Sequence, residues 1–209
     1  EISRNNKNLK KFIHISTDEV YGDMDEHIAI NHTAKETDEL KGSSYYSATK
    51  AASDMLVLSA NRTYGLPYLI TRTCNNFGEH QFEEKFLPTI ARSIKEGKPI
   101  PVYGDGKQVR EWMYVHDNVK VICDFMFDDT IINQIMNIGT GFRVTNLDII
   151  NKIASILNKE VQISHVEDRL GHDRKYGPFS KKMMWFYQNK EETIEFKNLY
   201  NYLEEQYGK

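Results

Sequence analysis

Two short apolar segments with a helix-forming segment between them set the first constraint on the fold. Residues 12–16 (FIHIS) and 68–72 (YLITR) are short, apolar and lean toward β-branched side chains, which is typical of strands. Residues 44–61 favour a helix, and the turn-forming sequence at 64–67 (YGLP) would end it. A strand, a helix and a strand at this spacing predict a βαβ unit, and hence a parallel sheet in an α/β protein.

After Gly78 the pattern of apolar and turn-forming residues changes, and the chain shows no internal repeat. Helices are predicted at about 83–96, 117–127, 146–157 and 193–206, short strands near Met136 and at 161–166, and a loop at 101–106. We therefore expect a second, smaller lobe packed on the first.

Composition and charge exclude several kinds of partner. A formal net charge of -3 gives no general attraction for nucleic acid. No apolar segment approaches the ~20 residues that a membrane span needs, so no membrane partner is expected. The two cysteines, Cys74 and Cys123, lack a CxxC spacing, which favours a reducing, cytoplasmic location over a disulfide framework. The scattered histidines predict no metal site.

The segment Thr17, Asp18, Glu19 places a hydroxyl and two adjacent carboxyl groups at the end of the first predicted strand. Neighbouring acids repel each other and lose hydration when buried, so this is a costly place for them. A solvated turn is one interpretation. The other is that the pair supplies acid and base chemistry.

Tyr46 and Lys50 stand four residues apart, and on a helix they would share one face. An ammonium group near a phenol favours the phenolate, so we expect Lys50 to lower the pKa of Tyr46 and make it a base near neutral pH. The same spacing also occurs by chance as a solvated pair. With a hydroxyl at Ser16 or Thr17 upstream, the arrangement resembles the short-chain dehydrogenase/reductase superfamily, whose active site joins such groups around a nicotinamide ring.

Further segments make the resemblance more specific. Six of them occur in the order found in nucleotide-sugar 4,6-dehydratases of the dTDP-glucose type: 17–22, 46–51, 74–78, 84–88, 103–106 and 168–173. The match covers roughly residues 10–176. It implies a Rossmann-like parallel sheet that lacks its first βαβ units, followed by a smaller C-terminal α/β lobe that binds substrate.

The resemblance also implies a reaction and a role for each catalytic residue. In this family NAD takes a hydride from C4 of the sugar, water leaves across C5 and C6, and the hydride returns to C6. Thr17 would bond the C4 hydroxyl and Tyr46 would deprotonate it, while Lys50 would tune Tyr46 and hold the cofactor ribose. Glu19 would remove the C5 proton and Asp18 would protonate the departing hydroxyl, since repulsion between neighbouring carboxyls favours keeping one proton between them.

Binding residues follow from the same resemblance. The cofactor contacts would be Tyr46, Lys50 and Asn76. The substrate contacts would be Thr17, Asn75, Lys85, Phe86, Pro101, Val102, Tyr103, Arg110, Asn146, Asp168, Arg169 and His172. Arginine suits the pyrophosphate because its planar fork can bind phosphate oxygens through two bonds.

Each of these residues has a simpler interpretation. Arg110 could form a surface ion pair with Glu111, His172 could be an ordinary loop residue, and Tyr103 could pack in the core. Cys74 fits a neutral wall residue because no histidine adjoins it.

A glycine-rich turn for the cofactor pyrophosphate is not found in the sequence. The family keeps that motif upstream of the acid pair, and the chain begins with Glu1 in what reads as the end of a helix. We therefore expect a fragment that does not bind NAD tightly by itself. On this interpretation residues 1–78 are the later part of an NAD-binding domain, and residues 79–209 are mainly the substrate lobe, with some segments returning to the first domain.

Three functions remain open from the sequence. The first is a nucleotide-sugar 4,6-dehydratase, a hydro-lyase; the second is a related decarboxylase or epimerase; the third is a noncatalytic protein that binds a sugar nucleotide. A second stripe on the Tyr46 helix, formed by Ala48, Ala52, Met55 and Leu56, either packs on its own sheet or, as in the superfamily, joins a homodimer.

Overall fold

The computed structural model describes residues 2–24, 33–168 and 170–208. The strands are β1 (Phe12–Thr17), β2 (Tyr68–Thr73), β3 (Asn75–Phe77), β4 (Ile100–Tyr103), β5 (Val109–Tyr114), β6 (Gln134–Ile138), β7 (Arg143–Thr145) and β8 (Ile163–Val166). The α-helices are α1 (Ile2–Asn5), α2 (Tyr45–Tyr64), α3 (Phe86–Glu96), α4 (Val115–Phe127), α5 (Asn146–Leu157), α6 (Lys181–Asn189) and α7 (Leu199–Tyr207). A 3-10 turn, Asp18–Tyr21, follows β1 directly.

Three parallel strands form the first sheet in the order β1, β2, β6. Every residue of β2 is buried, as expected for the central strand of a parallel sheet. Helix α2 packs against β1, and α4 and α6 pack against β2 and β6. The predicted βαβ unit and the parallel sheet are therefore confirmed.

The second half of the chain forms a smaller layered structure. β3 pairs in parallel with β5, β7 pairs antiparallel with β5, and β4 forms a separate parallel pair with β8. Helix α5 packs against both α3 and α7. Their shared core includes Leu87, Ile90, Ile149, Ile153 and Leu203. These contacts confirm the α/β class beyond the first sheet.

Local capping explains which helix bounds the sequence predicts well. At the start of α5, the Thr145 hydroxyl accepts the N–H of Asp148 at 3.1 Å, and the Asp148 carboxylate accepts the N–H of Thr145 at 3.2 Å. The predicted bounds 146–157 are confirmed. Helix α7 begins at Leu199, not near 193, because the Asn198 side chain caps it by accepting the N–H of Tyr200 at 2.8 Å.

Other segments correct the prediction. The loop predicted at 101–106 is wrong for its first residues, which belong to β4. Strand β5 and helix α6 are absent from the prediction, and α3 begins at Phe86, three residues later than expected. Because β6 pairs with β2, a segment from the second half completes the first sheet. The division at residue 78 stays a prediction.

Among the helices that the structure describes, none combines the length and apolar character needed to cross a bilayer. The same part of the chain holds no cluster of three or more His, Cys, Asp or Glu side chains arranged for a metal ion.

Candidate active site

The acid pair lies in a tightly fixed turn. The Thr17 hydroxyl at the end of β1 caps the 3-10 turn by accepting the N–H of Glu19 at 3.3 Å. The turn ends at Gly22, whose φ of 73° favours glycine and where a Cβ atom would lie 2.1 Å from the Lys41 carbonyl oxygen. The chain therefore buries Asp18 completely and leaves Glu19 half-exposed.

Asp18 is surrounded by groups that favour its neutral form. Burial raises the pKa of Asp18 well above its ordinary value, and the carboxyl groups of Glu111 and Glu19 raise it further. The charge of Arg110 opposes this only in part. Within the described chain, the Oδ2 atom of Asp18 is buried without a hydrogen-bond partner. These surroundings favour the protonated form of Asp18, which is the form that can act as an acid.

Tyr46 and Lys50 lie on the first turns of α2. The helix begins at Ser44, whose hydroxyl accepts the N–H of Ser47 at 3.1 Å in a capping box. The Lys50 ammonium group donates to the carbonyl oxygen of Ile15 at 2.7 Å, which fixes this face of the helix to β1.

The pKa of Tyr46 differs from the sequence-based expectation. Burial raises it first and the charge of Glu19 raises it further, while the hydrogen bond with Thr17 lowers it only in part. The expectation that Lys50 lowers the pKa of Tyr46 is wrong for this structure. The reason is that Lys50 bonds a backbone carbonyl, whereas Glu19 faces the phenol.

Two adjoining cavities meet at these residues. Their volumes are about 440 and 420 Å³. Both are lined by Glu19, Tyr46, Asn75, Phe86 and Trp112. Glu19 and Tyr46 therefore lie where the two cavities meet, within reach of a ligand in either one.

The first cavity, with a volume of about 440 Å³, contains a firmly held arginine. The Arg110 guanidinium donates to the carbonyl oxygen of Asp173 at 2.7 Å and lies over the ring of Tyr176, 4.1 Å from its centre. Glu111 pairs instead with Arg143, with an Nη2–Oε2 distance of 2.7 Å. The alternative of a surface ion pair between Arg110 and Glu111 is thereby excluded.

His172 also lines the first cavity and has defined partners. Its Nδ1 atom lies 2.6 Å from the Asp168 carboxylate, which accepts a second bond from Gln108 at 3.1 Å. The ring of Tyr103 meets the His172 ring edge-on, with the ring centres 6.0 Å apart. His172 is therefore not an unattached loop residue, and Tyr103, which is 38% exposed, is not a core residue.

The second cavity, with a volume of about 420 Å³, offers groups that fit the nicotinamide and ribose of NAD. Tyr46 and Lys50 lie on one wall and Asn76 lies among the other lining residues. In the part of the chain that the structure describes, the Asn76 Oδ1 atom is buried without a donor, while its amide nitrogen donates to the Cys74 carbonyl at 3.1 Å. An orphaned amide oxygen is satisfied by a ligand donor such as a carboxamide or a ribose hydroxyl.

Cys74 is a wall residue of the second cavity, as expected from the sequence. Burial raises the pKa of its thiol well above the ordinary value, and the nearby carboxyl groups of Glu111 and Asp18 raise it further. A neutral buried thiol is a poor nucleophile.

Eleven of the predicted site residues are brought together by the fold. The cavities are lined by Thr17, Glu19, Tyr46, Lys50, Asn75, Asn76, Lys85, Phe86, Arg110, Asn146 and His172. Of the other described candidates, Asp18 lies buried in the 3-10 turn, and Pro101, Val102, Tyr103 and Asp168 lie outside both cavities. Val102 packs in the core of the smaller lobe. Arg169 falls outside the described residues.

The structure adds Trp112 and Tyr176, which the sequence analysis missed. Both line the first cavity and are about 5% exposed. Trp112 lies two residues after Arg110 on β5, so the two side chains share a face of that strand. Predicting β5 would have pointed to Trp112.

Comparison with known proteins agrees with this geometry. The NAD dependent epimerase/dehydratase family matches residues 1–139. The chain belongs to this family. It is 45% identical over 171 residues to the low-salt glycan biosynthesis protein Agl12 of Haloferax volcanii, covering 80% of this chain and 53% of that protein. It is 39% identical over 190 residues to dTDP-glucose 4,6-dehydratase 1 of Escherichia coli, covering 85% and 52%.

A solved structure extends the match to three dimensions. DesIV, a dTDP-glucose 4,6-dehydratase from Streptomyces venezuelae solved with NAD and TYD bound, superposes with a TM-score of 0.83 at 32% identity. The alignment covers 93% of this chain and 58% of DesIV. The Rossmann-like dehydratase fold expected from the sequence is confirmed. This family member spans about half the length of the curated relatives it matches.

Proposed function

We propose that the full-length protein is an NAD-dependent nucleotide-sugar 4,6-dehydratase that converts dTDP-glucose or UDP-glucose to the 4-keto-6-deoxy sugar. One observation carries this proposal. A fully buried Asp18, whose surroundings raise its pKa, directly precedes the half-exposed Glu19, and Glu19 and Tyr46 line both cavities. Only a reaction that removes one proton and supplies another requires this pair in addition to Tyr46 and Lys50.

The first task of the site is to activate the C4 hydroxyl. Thr17 orients this hydroxyl and Tyr46 removes its proton, with Glu19 close to Tyr46 in the lining of both cavities. Tyr46, Lys50 and Asn76 would hold NAD in the second cavity, where it would supply the hydride acceptor for C4 and the hydride donor for C6. Because the pKa of Tyr46 is raised in this structure, the phenol needs a further favourable charge before it acts as a base. A positively charged nicotinamide would supply that charge.

Elimination is the task of the acid pair. The C4 ketone acidifies the C5 hydrogen, and Glu19 takes that proton. The C6–oxygen bond then breaks, and Asp18 transfers its proton to the departing hydroxyl, so that water leaves. As the hydride adds to C6, Glu19 returns its proton to C5 and is restored. The one proton that Asp18 gives to the departing hydroxyl is matched by the one that Tyr46 takes from the C4 hydroxyl, so the turnover is neutral overall.

Substrate binding is assigned to the first cavity. Arg110 would bind the pyrophosphate, with Asp168, Arg169 and His172 at the phosphate end. Asn75, Lys85 and Phe86 would contact the sugar or its phosphate. Asn146 lines this cavity, and the base and its ribose would extend beyond it toward Pro101 and Tyr103. The side chain of Val102 packs in the core and is not available to them. Support for the phosphate assignment comes from Arg110, which the backbone carbonyl of Asp173 and the ring of Tyr176 hold facing the cavity.

Epimerization is the second candidate function, because the matching family contains both epimerases and dehydratases. An epimerase or a decarboxylase would use Thr17, Tyr46 and Lys50 in the same way but has no step for Asp18 and Glu19. Dehydratase, epimerase and decarboxylase activity are therefore distinguished by the product that forms and not by binding of the nucleotide sugar.

Product analysis tests the proposal. The full-length protein is incubated with NAD and, separately, with dTDP-glucose, UDP-glucose, GDP-mannose and UDP-glucuronate, and the products are analysed by mass spectrometry. Loss of one water from a glucose nucleotide is expected. An isomer of unchanged mass, or carbon dioxide released from UDP-glucuronate, would instead assign epimerase or decarboxylase activity. Binding of the nucleotide sugar with no turnover would support the noncatalytic alternative.

The pair of Asp18→Asn and Asp105→Asn makes a matched control for that experiment. Both changes convert a carboxylate to an amide, but Asp105 pairs with Arg174 at the surface, outside both cavities. Asp18→Asn is expected to abolish water loss, and Asp105→Asn to retain it.

We also propose a homodimer formed through α2. Its predicted stripe is exposed at all four positions, with Met55 57% and Leu56 71% exposed, so the stripe does not pack on its own sheet. Leu56→Glu is expected to shift sedimentation from dimer to monomer, while Val119→Glu on α4, where the side chain is 51% exposed, leaves it unchanged. Wild-type protein that sediments as a monomer at micromolar concentration would contradict the dimer.

The remaining proposals concern location and organisation. Both cysteines are free thiols, which supports the cytoplasm as the place of action. We assign residues 1–78 to the NAD-binding part and residues 79–209 mainly to the substrate lobe, with β6 as the segment that returns to the first sheet.

A further inference from the structure

A buried polar network lies beneath the candidate active site. We call it the Arg72 network, and it consists of Asp54, Arg72, Tyr21 and Asn137. The Arg72 Nε atom donates to the Asp54 carboxylate at 2.8 Å, and Nη1 donates to the Tyr21 hydroxyl at 2.9 Å. That hydroxyl donates in turn to the Asn137 Oδ1 atom at 2.7 Å. All four residues are buried, at 6% exposure or less.

The two ends of the network belong to the two catalytic elements. Asp54 follows Lys50 by four residues and Tyr46 by eight, so the three side chains lie along one stripe of α2. Tyr21 is the last residue of the 3-10 turn that begins with Asp18 and Glu19. Among the described residues that line the two cavities, no member of the Arg72 network occurs.

Arg72 is the only group in the network that contacts both elements directly. Its guanidinium is planar and rigid, so two of its N–H groups hold Asp54 and Tyr21 at a fixed separation. The ring of Tyr21 also lies under the guanidinium, with its centre 4.9 Å away. A lysine could hold either partner but not both in this geometry.

Stability alone gives a poor reason for this arrangement. A buried ion pair recovers its desolvation cost only with good geometry and full hydrogen bonding, and hydrophobic residues of similar volume often stabilise a core as well. Apolar side chains could not replace the network as a positioning device, because only directional hydrogen bonds fix the distance between two elements.

We propose that Arg72 is a positioning residue that sets the distance between the Tyr46–Lys50 helix and the Asp18–Glu19 turn. The two elements serve different steps of the proposed dehydration, C4 oxidation and water elimination. Arg72 therefore keeps a single bound sugar within reach of both. The kinetic consequence rests on the proposed function, whereas the structural coupling does not.

Amide hydrogen exchange of the full-length protein tests the coupling. Tyr21→Phe removes only the hydroxyl that joins Arg72 to Asn137. Tyr187→Phe is the matched control, because Tyr187 is equally buried and its hydroxyl bonds Asp124 at 2.7 Å, away from both elements. Tyr21→Phe is expected to speed exchange in residues 18–22 and also in residues 45–54, and Tyr187→Phe in neither. Exchange that changes only at 18–22, or not at all, overturns the coupling.

Single-turnover kinetics test the consequence for the reaction. A loss of folded protein lowers oxidation and elimination by the same factor, whereas a displaced turn changes their ratio. Arg72→Lys, which keeps the charge but loses the fork, is expected to slow water loss about ten- to a hundredfold while C4 oxidation changes much less. Tyr21→Phe provides the same comparison if Arg72→Lys fails to fold.

The outcomes separate this proposal from the proposed function. Equal slowing of both steps overturns the positioning role. A wild-type protein that dehydrates no nucleotide sugar overturns the proposed function, and the exchange experiment then still decides whether Arg72 couples the two elements.

Discussion

Two similar ion pairs outside the cavities lie in different surroundings: the buried Asp54–Arg72 pair, which we call the floor, and the surface pair Asp105–Arg174, which we call the wall. On the floor, Asp54 and Arg72 form a pair whose side chains are 0% and 2% exposed. On the wall, Asp105 and Arg174 form a pair through two bonds of 2.6 and 2.8 Å, with side chains 45% and 33% exposed. The two pairs have similar bond lengths, but water reaches only the second pair.

This difference indicates a division of tasks. A buried pair cannot exchange its partner for water, so the floor holds one geometry, which suits proton transfers that depend on distance. An exposed pair is screened and easily replaced by hydration, so the wall can adjust without a large cost. We therefore expect the geometry of the site to depend on the floor and to be insensitive to the wall.

The largest expected effect is on the floor. Arg72→Met leaves Asp54 buried without its cation, and the free energy of unfolding is expected to fall by about 3–5 kcal/mol. Burial by itself would raise the pKa of Asp54, but contact with His14 and the charge of Arg72 hold it below its ordinary value. The variant keeps the His14 contact and loses the Arg72 share of this effect. Chemical denaturation of the full-length protein measures the change.

Arg92→Met is the control for this prediction. Arg92 pairs with Glu83 at 3.3 Å, and the side chains are 46% and 85% exposed. A cost within about 1 kcal/mol is expected for this exposed pair. Equal losses for Arg72→Met and Arg92→Met would erase the contrast between buried and exposed pairs.

A smaller change in the free energy of unfolding, this time a gain in stability, is expected when Asp18 is replaced. Because its pKa is raised in the folded state, the unfolded chain loses this proton first as pH rises above the ordinary value of 3.8. The wild-type protein therefore loses stability as pH rises through the interval between the unfolded and folded pKa values. Asp18→Asn removes this penalty and is expected to stabilise the protein by about 1–2 kcal/mol at pH 7.

The sign of this prediction has a simple check. The gain in the free energy of unfolding from Asp18→Asn should shrink below about pH 4, where Asp18 is protonated in both the folded and the unfolded wild-type chain. Thermal or chemical unfolding at both pH values measures it. An advantage independent of pH would indicate a packing effect in place of a proton held on Asp18.

The smallest effect is expected on the wall. Asp105→Asn weakens an exposed pair, and the free energy of unfolding should change by no more than about 1 kcal/mol. The difference from wild type should also diminish as salt is added, because exposed charges are screened. A large, salt-independent loss would show that the wall is as rigid as the floor.

Local sequence signals predict the parts of the fold that depend on neighbours in the chain. The βαβ unit follows from periodicity, and α5 follows from the capping residues Thr145 and Asp148. Strand β5 is different because it buries Arg110 and Glu111, two charged residues that sequence rules place at the surface.

The candidate site likewise could be predicted only in part from local sequence. The grouped residues of the two cavities follow from their resemblance to a known order of motifs, but their electrostatics depend on distant partners. Glu19, 27 positions before Tyr46 in the sequence, helps to raise its pKa, and Glu111 helps to raise that of Asp18. Such pairings are set by tertiary packing, which no local pattern records.

The central claim is that Glu19 is the base that removes the C5 proton. Its most direct test is a single turnover of Glu19→Gln full-length protein, followed by absorbance of reduced nicotinamide and by mass spectrometry of the sugar. C4 oxidation should remain detectable, while water loss falls by about 10²–10⁴-fold, as is usual when a general base is removed. Water loss at the wild-type rate would contradict the claim.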